Sequence, residues 1–148
     1  MKRRFYWLLL AAVSGSMAFA AVEVITTNWD TLQNIQFDDK YTPEVKGYML
    51  FPKFPAPIKA MNGKQVRIDG YVIPFDKTGE KVALSANPYA ACYFCGKAGP
   101  ASVMTIVLRT KSLRYHTDQY RTFEGRLRLN SSDIKEFYYI LEDAVEVK

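Results

Sequence analysis

Cys92 and Cys95 are the only two cysteines of this 148-residue chain, and they stand as Cys92-Tyr93-Phe94-Cys95-Gly96. Sulfurs at this spacing can close a tight disulfide, act as a reducible dithiol, or offer two thiolates to one tetrahedral zinc or a soft copper(I). Each chemistry asks something different of its surroundings. A disulfide needs only an oxidising compartment. Thiol–disulfide exchange places the first cysteine at a helix N-terminus within a βαβ frame, where the dipole lowers its pKa, and the residues around Cys92 lack helical periodicity. A closed zinc site needs four ligands. The chain has one histidine, His116, and Asp118 stands two places on; these, with Asp76, are the side chains that could complete a site on Cys92 and Cys95. Pro88, Gly96, Gly99 and Pro100 make the surrounding segment irregular, so the loop from Cys92 to Pro100 is the expected functional surface.

The compartment decides which sulfur chemistry is available. Lys2, Arg3 and Arg4 precede an uncharged apolar run from Phe5 to Val13, and Ser14 to Ala20 ends in Ala18-Phe19-Ala20, a small-x-small cleavage pattern. Residues 1–20 therefore read as a cleaved secretory signal, the apolar run being too short to cross a bilayer, which takes about 20 residues. The expected location is the periplasm or another extracytoplasmic space, with no membrane-spanning segment after cleavage. Removing the three basic residues takes the formal net charge from +5 to +2, so the basicity belongs mostly to targeting. About 128 residues remain, enough for a single core.

The elements that must hold the cysteine loop are mostly strands. Asn28 can cap a short helix whose Trp29, Leu32 and Ile35 share one face. Residues 38–60 contain Pro43, Pro52, Pro55 and Pro57, which predict an extended wrapping segment without regular hydrogen bonding, pinned by Tyr48, Phe51 and Phe54. Beyond the turn pair Asn62-Gly63, alternation predicts a strand from Lys64 to Ile73 with a change of phase at Gly70, where a bulge or sharp coil is expected. Further strands are predicted over Lys81 to Leu84, Ser102 to Leu108, Tyr120 to Leu129 with a break at Gly125, and Tyr138 to Val147. Ser131, Ser132 and Asp133 suit a short helical turn before the last of them. The expected fold is mainly β: a small curved barrel of five to six strands, of the oligonucleotide/oligosaccharide-binding type, or a β roll, over residues 61–148, preceded by the helix and wrapping segment over residues 21–60.

These segments carry a resemblance. The run from Asn62 to Pro74, then Pro88-Tyr89-Ala90-Ala91-Cys92, Gly99-Pro100 before a hydrophobic strand, and Phe123-Glu124-Gly125 resemble the DUF3299 family of exported bacterial proteins over roughly residues 28–147. The most specific parts are Gly70-Tyr71-Val72-Ile73-Pro74 and the cysteine loop. The resemblance implies a small periplasmic protein, some members being linked to metal-responsive ABC transport systems, and thus an envelope transport system or other periplasmic protein as partner. Many members read Ala-Cys-Ile-His in the loop. Cys92 then matches the family cysteine, Phe94 replaces the histidine, and Cys95 is the candidate substitute.

Other chemistry is thin. The sequence contains no nucleotide-binding glycine motif, no His-Glu-x-x-His and no Gly-x-Ser-x-Gly, and Asp38-Asp39 reads as a loop feature. Arg109, Lys111, Arg114, Arg121, Arg126 and Arg128, interleaved with Tyr115, Tyr120 and Phe123, raise a nucleic-acid reading. Export and the small mature charge argue against it. The expected function is an exported, non-catalytic binding or accessory protein that handles zinc or copper through Cys92 and Cys95, the alternatives being a periplasmic thiol–disulfide oxidoreductase and a disulfide-stapled protein-interaction module.

Overall fold

The computed structural model describes residues 23–92 and 98–148; the signal segment and Cys95 lie outside these. Among the described residues eight strands and two α-helices are formed. β1 (Val24–Thr26), α1 (Trp29–Gln33), β2 (Gln36–Thr42), β3 (Gly47–Lys53) and α2 (Ala56–Met61) precede β4 (Gln65–Pro74), β5 (Lys81–Ser85), β6 (Val103–Leu108), β7 (Tyr120–Leu129) and β8 (Tyr139–Val147). The last five close on themselves in the order β4-β5-β6-β8-β7-β4, with β6–β8 parallel and the other pairings antiparallel. This is a five-stranded barrel of the expected type. β1 adds in parallel to β4. Among the described residues no helix is long and apolar enough to cross a membrane.

β4 is the strand on which closure turns. Its residues 65–71 pair with β7, while on its other edge 65–67 meet β1 and 71–74 meet β5. Between those two neighbours the indole N–H of Trp29 donates to the Asp69 carbonyl at 2.8 Å, standing in for a strand donor. Asn28 caps α1 as expected, accepting from the Thr31 N–H. At Gly70 the sheets come so close that an added Cβ would lie 2.7 Å from the Ser85 carbonyl oxygen and 3.1 Å from the Trp29 indole nitrogen. The phase does not change there. Val66, Ile68, Gly70 and Val72 all point inward; Ile73 is buried too, but on the outside of the barrel, beneath Cys92. The apparent slip in the pattern is a second, external cluster read along one strand.

β8 carries the other irregularity. Its pairing with β6 skips Glu142 and Asp143 and its pairing with β7 skips Asp143 and Ala144, so Asp143 bulges at φ 52° opposite Gly125, where an added Cβ would fall 2.6 Å from the Glu142 carbonyl oxygen. Arg109 clamps the bulge through two bonds to the Asp143 carboxylate, of 2.9 and 2.8 Å.

The proline-rich segment departs from expectation. Its residues form a two-stranded antiparallel hairpin, β2–β3, followed by α2. Each proline occupies a position that needs no N–H: Pro43 lies in the hairpin turn, Pro52 on an edge strand, Pro55 at the N-cap of α2 and Pro57 in its first turn. Of the aromatic residues expected to pin it, Phe54 is buried, whereas Tyr48 is 72% exposed and Phe51 lies under the Lys40 ammonium. Phe37 and Pro52 anchor the hairpin instead. Asp38 and Asp39 project from opposite faces of β2, and Asp38 is paired with Lys53, so they form no acid/base couple.

Gly70→Ala should lower unfolding free energy by about 1–3 kcal/mol, because a backbone carbonyl must move to make room, while Gly47→Ala in the hairpin, where the nearest atom is 3.8 Å away, should stay within about 0.5 kcal/mol. Urea unfolding of the two variants checks this; equal stability would show that β4 does not need the glycine.

Candidate functional site

The cysteine loop leaves β5 through a bond from the Asn87 N–H to the Ser85 hydroxyl and makes one 3-10 turn, Tyr89–Ala91, before Cys92. The carboxylate of Asp118 accepts from the Tyr89 N–H at 2.7 Å. Asp118 sits at φ 65° in a turn that also holds His116; this turn is tied to β4 by the Asp118 N–H to the Val72 carbonyl and the Val72 N–H to the Gln119 carbonyl. The fold thus brings Asp118, with His116 beside it, to the root of the cysteine loop. Its oxygen serves the backbone there. Asp76 is similarly engaged, accepting from the hydroxyl and N–H of Thr78 and from the N–H groups of Glu80 and Lys81.

Cys92 is wholly buried as a free thiol in a small cluster with Ile73, Ala83 and Val103, against which Phe137 packs. These residues lie on the outside of β4–β5–β6, so the chain leading to Cys92 is folded down onto the barrel wall. In such surroundings a cysteine acts as a small hydrophobe. Cys95 falls outside the described residues, and among those described no group of three His, Cys, Asp or Glu side chains could hold a metal.

The cleft beside this cluster has no single motif in the sequence. The outward residues of β5 and β6 divide into two groups: Ala83, Ser85 and Val103 are covered, while Lys81 and Thr105 face a cleft of about 270 Å³. One wall is Met49–Pro52 of β3; the other is the 130–138 loop, with Phe75 and Pro100 at the ends. Phe137 belongs to the cleft and also packs on the Cys92 cluster, so the buried thiol backs one wall. The loop is organised by Asn130, 7% exposed, and not by a helical turn. Its amide nitrogen donates to the carbonyls of Asp133, Glu136 and Phe137, and its oxygen accepts from the N–H groups of Ser132 and Asp133. Tyr138 reaches across and donates to the Leu50 carbonyl at 2.6 Å, joining the two walls.

The basic residues of the third quarter each meet an acid. Arg109 pairs with Asp143, Lys111 with Glu80, Arg114 and Arg121 with Glu146, Arg126 with Glu142, and Arg128 with Glu136 and Glu142. The positive stripe is a set of cross-strand ion pairs, not a bare basic groove. On the outer face of β4 and β7, Tyr120 donates to the Asp69 carboxylate, and that bond, with burial, pushes the phenol up to about 12.

The fold is similar to that of a DUF3299 family protein from Pseudomonas aeruginosa PAO1, with a TM-score of 0.51 over 87% of this chain and 98% of that one, at 13% sequence identity. At that identity the likeness is one of fold. No protein-family model matches this sequence, and no curated protein is similar to it.

Under reducing conditions Cys92→Ser should cost about 1–3 kcal/mol, since a hydroxyl would be left unpaired among hydrocarbon, and Asp118→Ala should speed modification of the Cys92 thiol by loosening the Tyr89 turn; an unchanged stability for the first would place the sulfur in solvent. The Asp76 carboxyl, held down to about 2 chiefly by the Thr78 hydroxyl, has a folded-state pKa below its ordinary 3.8, so its contribution is complete above pH 3.8 and fades as pH falls through 2. A carboxyl carbon titration by NMR should give a midpoint near 2; a midpoint near 3.8 would mean that the turn does not hold the carboxylate.

Proposed function

We propose that this chain is an exported, non-catalytic binding or accessory protein of the bacterial envelope, and that it binds its ligand in the cleft between β3, the outer face of β5–β6 and the 130–138 loop. One observation carries the reading. In barrels of this topology the second and third strands, with the loops after the first and fourth, form the ligand face. Those elements are β5, β6, the 75–80 loop and the 130–138 loop, and the cleft opens among them. It is concave, largely apolar and furnished with a few polar groups, as small-ligand sites are. Export is supported by the targeting pattern of residues 1–20 and by the sequence resemblance, which also supports a periplasmic partner such as a transport system.

Zinc or copper handling and thiol–disulfide exchange both require Cys92 to be presented as a thiolate. It is buried instead, packed against Ile73 and Val103. The geometry therefore favours a cleft binder in which the Cys92 cluster supports a wall, with Cys92 acting as packing rather than as the working site.

A screen of small aromatic and aliphatic fragments by amide NMR on the isotopically labelled protein tests this. Bound fragments should shift Phe75, Thr105 and Ile134, and Thr105→Trp, which fills the cleft floor, should weaken them about tenfold or more. Ile134→Trp, on the loop, gives the same readout if Thr105→Trp fails to fold. Shifts confined to other surfaces would overturn the reading.

A further inference from the structure

β3 borders this cleft along residues 49–52. Among the described residues β3 pairs only with β2, in the register Phe37↔Pro52, Asp39↔Leu50 and Tyr41↔Tyr48. In an antiparallel ladder, alternate residues turn their N–H and C=O towards the partner strand or away from it. Two observations fix which do which. Pro52 has no N–H to give β2, and the Leu50 carbonyl takes its bond from the Tyr138 hydroxyl, outside the hairpin. Leu50 and Pro52 therefore face outward, and by alternation so does Tyr48.

The outer edge of β3 is one wall of the cleft, as four consecutive residues, 49–52, line it. Strand alternation would send at most every second side chain there; a continuous run means that the backbone edge itself borders the space. Such an edge is a template for another strand. The cleft volume beside it, about 270 Å³, suits one or two side chains and not a large rigid ligand.

The charges narrow the partner. Lys81 and Lys135 both border the cleft, and among the described residues neither has an ion pair, whereas the arginines of β7 beside the loop are all paired. A carboxylate arriving with the ligand would meet both.

We propose that the cleft takes an extended peptide that adds as a third strand to the outer edge of β3, places an apolar side chain against Phe75 and Phe137, and presents a carboxylate to Lys81 and Lys135. This rests on the cleft being the binding site, and it assigns the chemical class of what binds. Main-chain bonds to Tyr48 and to the Leu50 N–H, beside the carbonyl already taken by Tyr138, supply affinity, and the pocket and lysines supply selectivity.

The test uses a phage-displayed library of random peptides, about twelve residues long, selected on the full protein, followed by synthesis of the recovered sequences. N-methylation at alternate backbone positions should weaken binding about tenfold or more, while methylation of the intervening positions should change it little. Hydrogen exchange at the Tyr48 and Leu50 amides should slow on binding. Lys81→Glu with Lys135→Glu should weaken carboxylate-bearing peptides about tenfold at low salt; comparing an Asp→Asn peptide with a C-terminally amidated one tells which carboxylate is used. Peptides that shift Phe75 and Thr105 but ignore N-methylation would overturn strand addition and leave the cleft as the binding site. Recovery of no peptide, while decanoate shifts the same amides, would overturn it in favour of an acyl ligand. Peptides that shift only residues remote from the cleft would overturn both readings.

Discussion

The crossing of β4 over β5 at Gly70 is the contact on which the rest of the molecule depends. There the backbone changes neighbours within a few residues, from β1 and Trp29 to β5, and the Ser85 carbonyl approaches to a distance that leaves no room for a Cβ. The tight crossing coils β4 enough for β7 to take one edge while β5 takes the other, and so lets five short strands close without an open side. It also aims β5. Because Ser85 is held against Gly70, the chain leaves β5 over the outer face of Ile73, and Cys92 comes down on that face seven residues later. Gly125, pressed against the bulge at Asp143, does the same for the opposite seam of the barrel.

Closing the barrel leaves an outer surface on β5–β6 that would otherwise expose Ala83, Val103 and Thr105. Two separate devices cover it. The cysteine loop seals the end near Ala83 and Val103 with a fully buried thiol, and the β2–β3 hairpin stands over the other end, near Lys81 and Thr105, without filling it. The free volume lies where these two covers fail to meet, and Phe137 is shared between them. This gives Cys92 a consequence for binding without any chemistry at sulfur: the position of the wall depends on how tightly its cluster packs.

The barrel was legible in the sequence because its strands alternate strongly; Tyr120–Leu129 and the end of β4 at Pro74 fall where the pattern puts them. The hairpin was not, since four prolines within twenty residues speak against regular structure unless each stands where no donor is needed, which only the tertiary arrangement of a two-stranded sheet provides. Ile73 misled the phase reading for a related reason: local alternation cannot distinguish a residue facing the core from one buried under a loop. The cysteine pair drew attention through residue type, whereas the cleft is assembled from residues 49–52, 75, 81, 105 and 130–138, separated along the chain and mostly apolar. Asn130 was the one available signal, a polar residue at a strand end followed by Ser-Ser-Asp, and it reads as a cap until the carbonyls around it are seen.

The two walls of the cleft differ in what it takes to move them. The 130–138 loop is built around a nearly buried amide that satisfies five backbone groups, and shifting it would leave several of those unpaired. The hairpin is a two-stranded sheet, marginal by itself, and it is held to the barrel by Phe37, Pro52 and the bond from Tyr138 to Leu50. The loop is therefore the more firmly held wall and β3 the less firmly held one. A peptide bound as proposed would lose little ordering entropy on the loop side, where the groups are already placed, and its main-chain contacts would form on the less firmly held side. On that proposal the asymmetry would put rigidity where charge and shape are read, and compliance where the contacts are common to any extended chain.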